Sequence, residues 1–296
     1  MAAVYQLIIF IFYTRKLGVL FVPEGPEIKR AADQIAAILD GKRIDRCFIQ
    51  PAGLRRYGPI LTGAHVEAVR PRGKALLTRF DNGLTLYSHN QLYGRWYTTK
   101  RDKAPSTNRS LRIALHTDSH SAWLYSASEI EILDDDALHA HPFLQRLGPD
   151  ILDPNLHWRD ILYQLQSPSF KRRSLASLYL DQHFIAGIGN YLRTEILFLA
   201  GLSPWARPVE LSLGQLGTLA RCTLAIAYRA YQTGGITNPA KFHARLKKQG
   251  QRKESYRFAA FNRDGRSCYQ CRSTIKRVEI SARRLYFCQQ CQHVIT

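Results

Sequence analysis

Four of the six cysteines fall in the last 29 residues, as Cys268-x2-Cys271 and Cys288-x2-Cys291 separated by 16 residues. Four thiolates at this spacing form two knuckles around one tetrahedral ion, and Zn²⁺ is the metal such sets hold. All four positions are then taken by protein, so the zinc is structural. Its binding supplies roughly 10–16 kcal/mol of folding energy to a module too small for its own core. A redox-active pair is the other reading of CxxC, and the doubled spacing argues against it. His293 is a competing ligand that a complete cysteine set makes superfluous. Between the pairs, "SARRLYFC" sets Arg283 and Arg284 near a hairpin tip. A guanidinium there suits a bidentate grip on phosphate, with a solvated pair of charges as the plainer alternative.

A second candidate is "AGIGNYLRTEILFLAG". Gly187-x-Gly189 lacks the third glycine of a dinucleotide fingerprint. The better reading makes Asn190 the N-cap of a helix over 191–200 that Gly201 ends. Free N–H groups at such a helix start suit phosphate, and plain capping does not exclude that contact. A third is "RPRGKALLTRF", which puts Lys74 at the head of an apolar strand. A lysine there is a catalytic amine or simply a solvated strand end.

The elements that must position these groups divide in two. In "FVPEGPEIKR", Pro26 suits the first turn of a helix and Glu27 its positive end; apolar residues at helical period follow, and Gly41 provides the stop. From 44 to about 133 the pattern becomes short alternating strands. "RFDNGLTLYSH" reads as a hairpin with Asn82-Gly83 in a type I′ turn, and "RIALHTD" with "SAWLYSAS" as another. The Pro-, Gly- and Asp-rich stretch 141–156 marks a domain boundary. Helices are expected over 158–166, 175–181, 191–200 and 213–231, then a polar, basic loop over 232–256.

Charge limits the function classes. Lys and Arg number 42 against 23 Asp and Glu, a formal +19, spread along all 296 residues. That field favours a polyanion, nucleic acid before membrane. Cysteines in metal spacing point to a reducing compartment rather than a secreted disulfide framework. The apolar run at residues 2–13 is shorter than the roughly 20 residues a bilayer span requires. Its positive charges follow it, contrary to a secretory signal.

Taken in order, "PEGPEI", "RGKALL", "LYSHNQLYG", "HPFLQRLGPD", "AGIGNYLRTEILF" and the four-cysteine finger resemble the formamidopyrimidine-DNA glycosylase/endonuclease VIII family, especially its bacterial endonuclease VIII branch. The resemblance runs from Pro23 to about His293. It implies an α+β multidomain protein: a β-sandwich catalytic domain (23–145) with a flanking helix, a linker (146–156), a helical domain with a helix–two-turn–helix motif (157–257) and a zinc finger (258–296). It implies a monomeric cytoplasmic DNA-repair enzyme, a glycosylase and AP lyase that removes oxidised pyrimidines from double-stranded DNA and cleaves by β,δ-elimination. The purine-directed branch is the alternative.

By the same resemblance Pro23 is the nucleophile through its α-nitrogen, Glu24 the general acid/base, Lys74 the β-elimination lysine and Arg283 the δ-elimination arginine. Gln91, Leu92, Tyr93, Arg146 and Asn190 match DNA-binding positions, the first three as the wedge that fills the gap of an extruded nucleotide. A free α-amine titrates near 8 against about 10.4 for lysine, which suits a nucleophile at neutral pH. Here Val22 precedes Pro23, and an amide nitrogen cannot form an iminium. Residues 1–22 are therefore expected to be an extension absent from the working protein, with Val22 the product of a GTG start. If they are retained, the expectation is a damaged-DNA binder without base release, or an enzyme that relies on Lys74 as a weaker amine; proteolytic removal is a third route, for which the sequence offers no support.

Overall fold

The computed structural model describes residues 22–293, so of the expected extension only Val22 lies within the described residues. Helix α1 (Gly25–Leu39) starts where Pro26 fits the first turn, and its chain turns away at Gly41, whose φ is +69°. Ile28, Ala32, Ile35 and Leu39 form its buried stripe. That stripe packs on two antiparallel sheets whose inner faces share one apolar core.

One sheet holds β1 (Arg46–Ile49), β5 (Arg95–Lys100), β6 (Leu111–His116) and β7 (His120–Tyr125) in the order β1-β6-β7-β5. The other holds β2 (Val66–Arg72), β3 (Ala75–Phe80), β4 (Thr85–His89) and β8 (Glu129–Leu133) in sequence order. The expected β6–β7 hairpin forms, with Leu115 opposite Ala122. The β3–β4 hairpin also forms, but its turn is not type I′. Gly83 (φ +84°) is in the left-handed region and Asn82 is not; the Gly83 N–H reaches the Phe80 carbonyl at 3.2 Å. A three-residue loop with glycine at its left-handed end is the alternative that the same dipeptide permits.

Past short α2 (Tyr57–Leu61) and α3 (Asp135–His139) in the first half, the second half is helical: α4 (Trp158–Gln166), α5 (Leu175–Leu178), α6 (Asn190–Leu199) and α7 (Leu213–Gln232). α5 is shorter than the expected 175–181. The segment 232–256, expected to be a loop, holds α8 (Ala240–Lys248) and α9 (Lys253–Tyr256). The α8 sequence is polar on all but one narrow face, which hides its helical period. No helix among the described residues is long and apolar enough to cross a membrane.

A two-stranded hairpin, β9 (Lys276–Ile280) and β10 (Arg283–Phe287), closes the chain between the cysteine pairs. Leu285 and Phe287 reach from it into the helical core. α1 also bridges the halves, since Arg30 donates to the carbonyls of Ala230 (2.7 Å) and Tyr231 (3.1 Å) at the end of α7. A cation suits that negative helix end.

Helix α6 is the central strut, with Tyr191 through Phe198 all buried. Two of those buried residues are charged. Glu195, 1% exposed, accepts from the N–H groups of Ala259, Ala260 and Phe261, each at 2.8 Å, and from the Thr237 hydroxyl. It thereby fixes the entry into the cysteine module. Glu195→Ala would leave those donors buried without an acceptor, a loss of roughly 3 kcal/mol or more. A urea titration is expected to show that loss; an unfolding midpoint equal to that of the unaltered chain would rule out the strut.

Candidate active site

The residues before α1 put a carboxylate where the two halves meet. Glu24 is 3% exposed, and its side chain accepts from the N–H groups of Gly189 (2.8 Å), Tyr191 (2.8 Å) and Leu192 (3.2 Å). It caps α6 from 165 residues away in sequence. The expected N-cap, Asn190, is the first residue of that helix instead; Gly189 holds the cap position and makes no side-chain cap bond. The N–H groups read as a phosphate site are thus occupied by Glu24.

The glycines of the motif make this approach possible. A Cβ on Gly189 would lie 2.4 Å from the Glu24 carboxyl carbon. Gly187 has φ +93°, and its carbonyl accepts from the Gly25 N–H at 2.8 Å, so the two backbones touch. Gln182 holds the turn from behind: it donates to the Ile188 carbonyl (2.8 Å) and accepts from the Gly187 N–H (3.1 Å). The Glu27 carboxylate accepts from the Glu24 N–H at 3.1 Å and fixes the backbone on the other side.

Glu24, Lys74, Gln91, Leu92, Asn190 and Arg283 all line one cleft of about 700 Å³. Six of the nine residues expected to do chemistry or hold DNA therefore converge there. Val22 and Glu24, on either side of Pro23, form part of its wall. Pro23 is half-buried between them and joined to Val22 through its nitrogen. Tyr93 and Arg146 do not line this cleft. Tyr93 stands 54% exposed beyond the wedge turn, and Arg146 donates through Nε to the Pro142 carbonyl at 2.8 Å.

Each converging side chain has its own anchor. Lys74 sits in the tight turn between β2 and β3, beside Gly73, whose N–H bonds Asp150 at 2.6 Å. Gln91 has a left-handed backbone (φ +47°), and its carboxamide donates to Glu129 at 2.5 Å. Glu129 in turn accepts from the Tyr87 hydroxyl at 2.8 Å. Arg283 opens β10 straight after Ser281 and Ala282, both at φ +54°. Left-handed backbone at two successive non-glycine residues is strained, and such strain gathers at functional sites.

Burial and charge set the protonation of the cleft. Burial raises the Glu24 carboxyl to about 7, although Lys74 and the backbone N–H bonds pull it down. Burial lowers the Lys74 ammonium, Arg283 adds to that, and Glu24 opposes it. An acid poised near neutrality beside an amine with a weakened hold on its proton can exchange protons in both directions.

Sequence reasoning missed the buried Arg193. Its guanidinium, on a residue with no exposed surface, donates to the carbonyls of Ala176 (3.0 Å) and Arg284 (3.1 Å) and to the Asn190 side-chain oxygen (2.6 Å). Burial lowers it to about 10. It ties Asn190 and the hairpin carrying Arg283 to one helix. An arginine and a glutamate two residues apart within a mostly apolar helix are the available signal.

The four cysteine sulfurs lie within 4.8 Å of one another, Cys268 to Cys291 at 3.8 Å and Cys271 to Cys288 at 3.3 Å. Tetrahedral zinc with sulfur at about 2.3 Å sets the edges at roughly 3.8 Å, so the donor set fits a metal ion. His293 is not one of this group.

Comparison with known proteins agrees with this architecture. A model of the formamidopyrimidine-DNA glycosylase N-terminal domain matches residues 22–128, and one of the H2TH domain of the same glycosylase matches residues 147–241. The chain is 46% identical over 272 residues to endonuclease 8 of Escherichia coli O17:K52:H18 and to that of Shigella sonnei, covering 92% of this chain and all of each relative. A solved structure of Lactococcus lactis formamidopyrimidine-DNA glycosylase with DNA containing N7-benzyl-Fapy-dG matches at TM-score 0.74 and 18% identity, over 92% of this chain and 100% of that one. The same enzyme bound non-covalently to DNA with an abasic site matches at 0.73 and 17%, with the same coverage. With both domains matched and full-length relatives at 46% identity, the chain belongs to the formamidopyrimidine-DNA glycosylase/endonuclease VIII family.

Proposed function

We propose that this chain is a bifunctional DNA glycosylase and AP lyase that releases oxidised pyrimidines from duplex DNA. Its nucleophile is the nitrogen of Pro23, in a form of the chain that opens there. The observation that carries this reading is the meeting of Glu24, Lys74 and Arg283 in one cleft beside Pro23. The family match beginning at residue 22 supports an opening at Pro23. The contiguous Gln91-Leu92-Tyr93 turn supports the pyrimidine-directed branch, with oxidised purines as the alternative substrate.

The Pro23 lone pair attacks C1′ as the bond from C1′ to the damaged base breaks, and that bond's electrons leave with the base. Protonated Glu24 supplies a proton to the departing base or to the sugar ring oxygen. The C1′–O4′ bond then opens, O4′ takes a proton, and the nitrogen, having lost its own, forms the C=N bond of a positively charged iminium. That charge draws in electrons when a base of the cleft, assigned to Lys74, removes a C2′ proton and the C3′–O bond breaks. A second elimination takes the C4′ proton and breaks C5′–O, with Arg283 on the phosphate. Water releases the sugar fragment and restores the amine.

Cys268, Cys271, Cys288 and Cys291 would hold one structural zinc. It would stiffen the knuckles from which the Arg283 hairpin projects and take no part in bond making. With Val22 retained, the Pro23 lone pair is delocalised into an amide, and the chain is a damaged-DNA binder without base release.

Borohydride reduction with an abasic duplex is expected to trap a covalent adduct at Pro23 in the chain that opens there, and none in the chain carrying Val22. An adduct on another side chain would sink the assignment. Base release requires Glu24 protonated, which fails as pH rises through about 7, and the amine deprotonated, which fails below its pKa near 8. The rate should therefore peak between those values. Glu24→Gln should lower base release by roughly 10²–10⁴ and remove the high-pH limb; an unchanged limb would assign the acid elsewhere. Gly189→Ala, whose methyl meets the Glu24 carboxyl, should cost at least about tenfold in base release, and unaltered kinetics would show the close approach to be dispensable.

A further inference from the structure

Residues 238–256 form an excursion whose two ends are tied together. The Thr237 N–H donates to the Arg257 carbonyl at 2.9 Å and the Asn238 side chain to the Tyr256 carbonyl at 2.8 Å. Within it, Lys241, Arg245, Lys247, Lys248, Arg252 and Lys253 are all exposed, and Glu254 is the only carboxylate. Among the described residues none of these six cations is ion-paired.

The inner side of α8 fixes which way those charges face. The Phe242 ring lies 4.5 Å from that of Tyr269 in the cysteine module, and the His243 ring stacks on Tyr256 at 6.3 Å. The excursion also adjoins residues that support the cleft. Lys253 donates to the Gly234 carbonyl at 3.0 Å, and Arg257 stands 3.8 Å from the Glu27 carboxylate that holds the Glu24 backbone.

A solvated face is the plain reading of a charge run, and three features weigh against it here. The charges are of one sign. Lys241 with Arg245 and Arg245 with Lys248 repel one another at helical spacings, which costs the helix stability. Lys241 also stands at the end of the helix where the dipole opposes a cation, while Arg245, Lys247 and Lys248 lie in the last turn, where it favours them. A folded, tethered, one-signed surface beside a DNA cleft matches a polyanion.

We propose that the outer face of α8, with the turn after it, is a second contact surface that grips phosphates of duplex DNA outside the cleft. This rests on the reading of the chain as a DNA enzyme and adds a site to it. The surface reads no sequence and acts on the duplex whether or not a lesion is present. Its contribution is retention on undamaged DNA during search.

The test uses the zinc-loaded chain opening at Pro23 and a labelled undamaged duplex, with binding followed by anisotropy between about 50 and 200 mM salt. Each phosphate contact adds about 0.9 to the slope of log affinity against log salt. The fourfold variant Lys241→Gln, Arg245→Gln, Lys247→Gln, Lys248→Gln is expected to lower that slope by about 2 to 3 and to weaken binding at low salt at least about tenfold. The charge-retaining variant Lys241→Arg, Lys247→Arg, Lys248→Arg should keep both. Single-turnover release of an oxidised pyrimidine at saturating enzyme should stay unchanged in both variants.

An unaltered slope in the glutamine variant would overturn the proposal, and so would loss of the saturated single-turnover rate, which would place these residues in the cleft. Should the fourfold variant fail to fold, Lys247→Gln, Lys248→Gln at the exposed helix end asks the same question at about half the slope change. An unaltered chain that neither binds duplex nor releases a base would overturn the proposed function itself, before any variant is compared.

Discussion

The placement of the Glu24 carboxylate at the start of α6 is the interaction on which the rest of the site depends. Three N–H groups and the positive end of a helix favour its charged form, while near-complete burial opposes that form. Burial wins, and the carboxyl titrates near neutrality. A solvent-exposed carboxylate would be too weak a base and too rarely protonated for this work, since it titrates near 4.3. An acid buried without those donors would stay protonated and be fixed by nothing. Burial and the N–H donors, working against each other, give both a useful protonation range and a single geometry.

The same interaction dictates the backbone around it. An acceptor can reach three donors at a helix start only if nothing projects from the cap residue, which is why position 189 is glycine and a methyl there would overlap the carboxyl. It also requires the Gly25 and Gly187 backbones to touch. α6 then transmits the position onward. Arg193 links it to α5 and to the carbonyl of Arg284 beside Arg283, and Glu195 links it to residues 259–261. Apolar packing alone would hold these parts close without fixing their rotation. Buried, directional hydrogen bonds fix it, and each is costly to break because its partners have no water to turn to.

What could be read in advance follows from how local the signal is. The cysteine module, the α1 stripe, α4, α7 and both hairpins rest on spacings of a few residues, and those were legible. Glu24 as the cap of α6 was not, because donor and acceptor are 165 residues apart and Asn190 offered a satisfactory local cap. Asn82-Gly83 does not by itself distinguish the turn type, since one glycine serves both a two- and a three-residue loop. α8 resembles a loop in the sequence because its cations mask a narrow apolar face of Phe242, His243 and Leu246. Arg193 and Glu195 carried a signal that went unused: two opposite charges inside an apolar helix have to find partners if that helix is buried.

The three charged side chains of the cleft come from separate bodies: Glu24 from the segment before α1, Lys74 from a sandwich turn and Arg283 from the cysteine-module hairpin. Each is anchored independently, through α6, through Asp150 and through a strained hairpin tip. The electrostatics nonetheless bind them into one unit. Lys74 lowers the Glu24 pKa, Glu24 raises that of Lys74, and Arg283 opposes the Lys74 charge. Removing one member of such a coupled set alters the balance of the others, so a loss of activity on substitution mixes lost chemistry with altered protonation of the neighbours. Pro23 belongs to that balance as well, because a free amine titrating near 8 carries charge at neutral pH. The change from amine to amide therefore removes a positive charge next to Glu24 together with the lone pair that would bond to C1′. Above that pKa the amine is itself neutral, and the two forms then differ only in the lone pair.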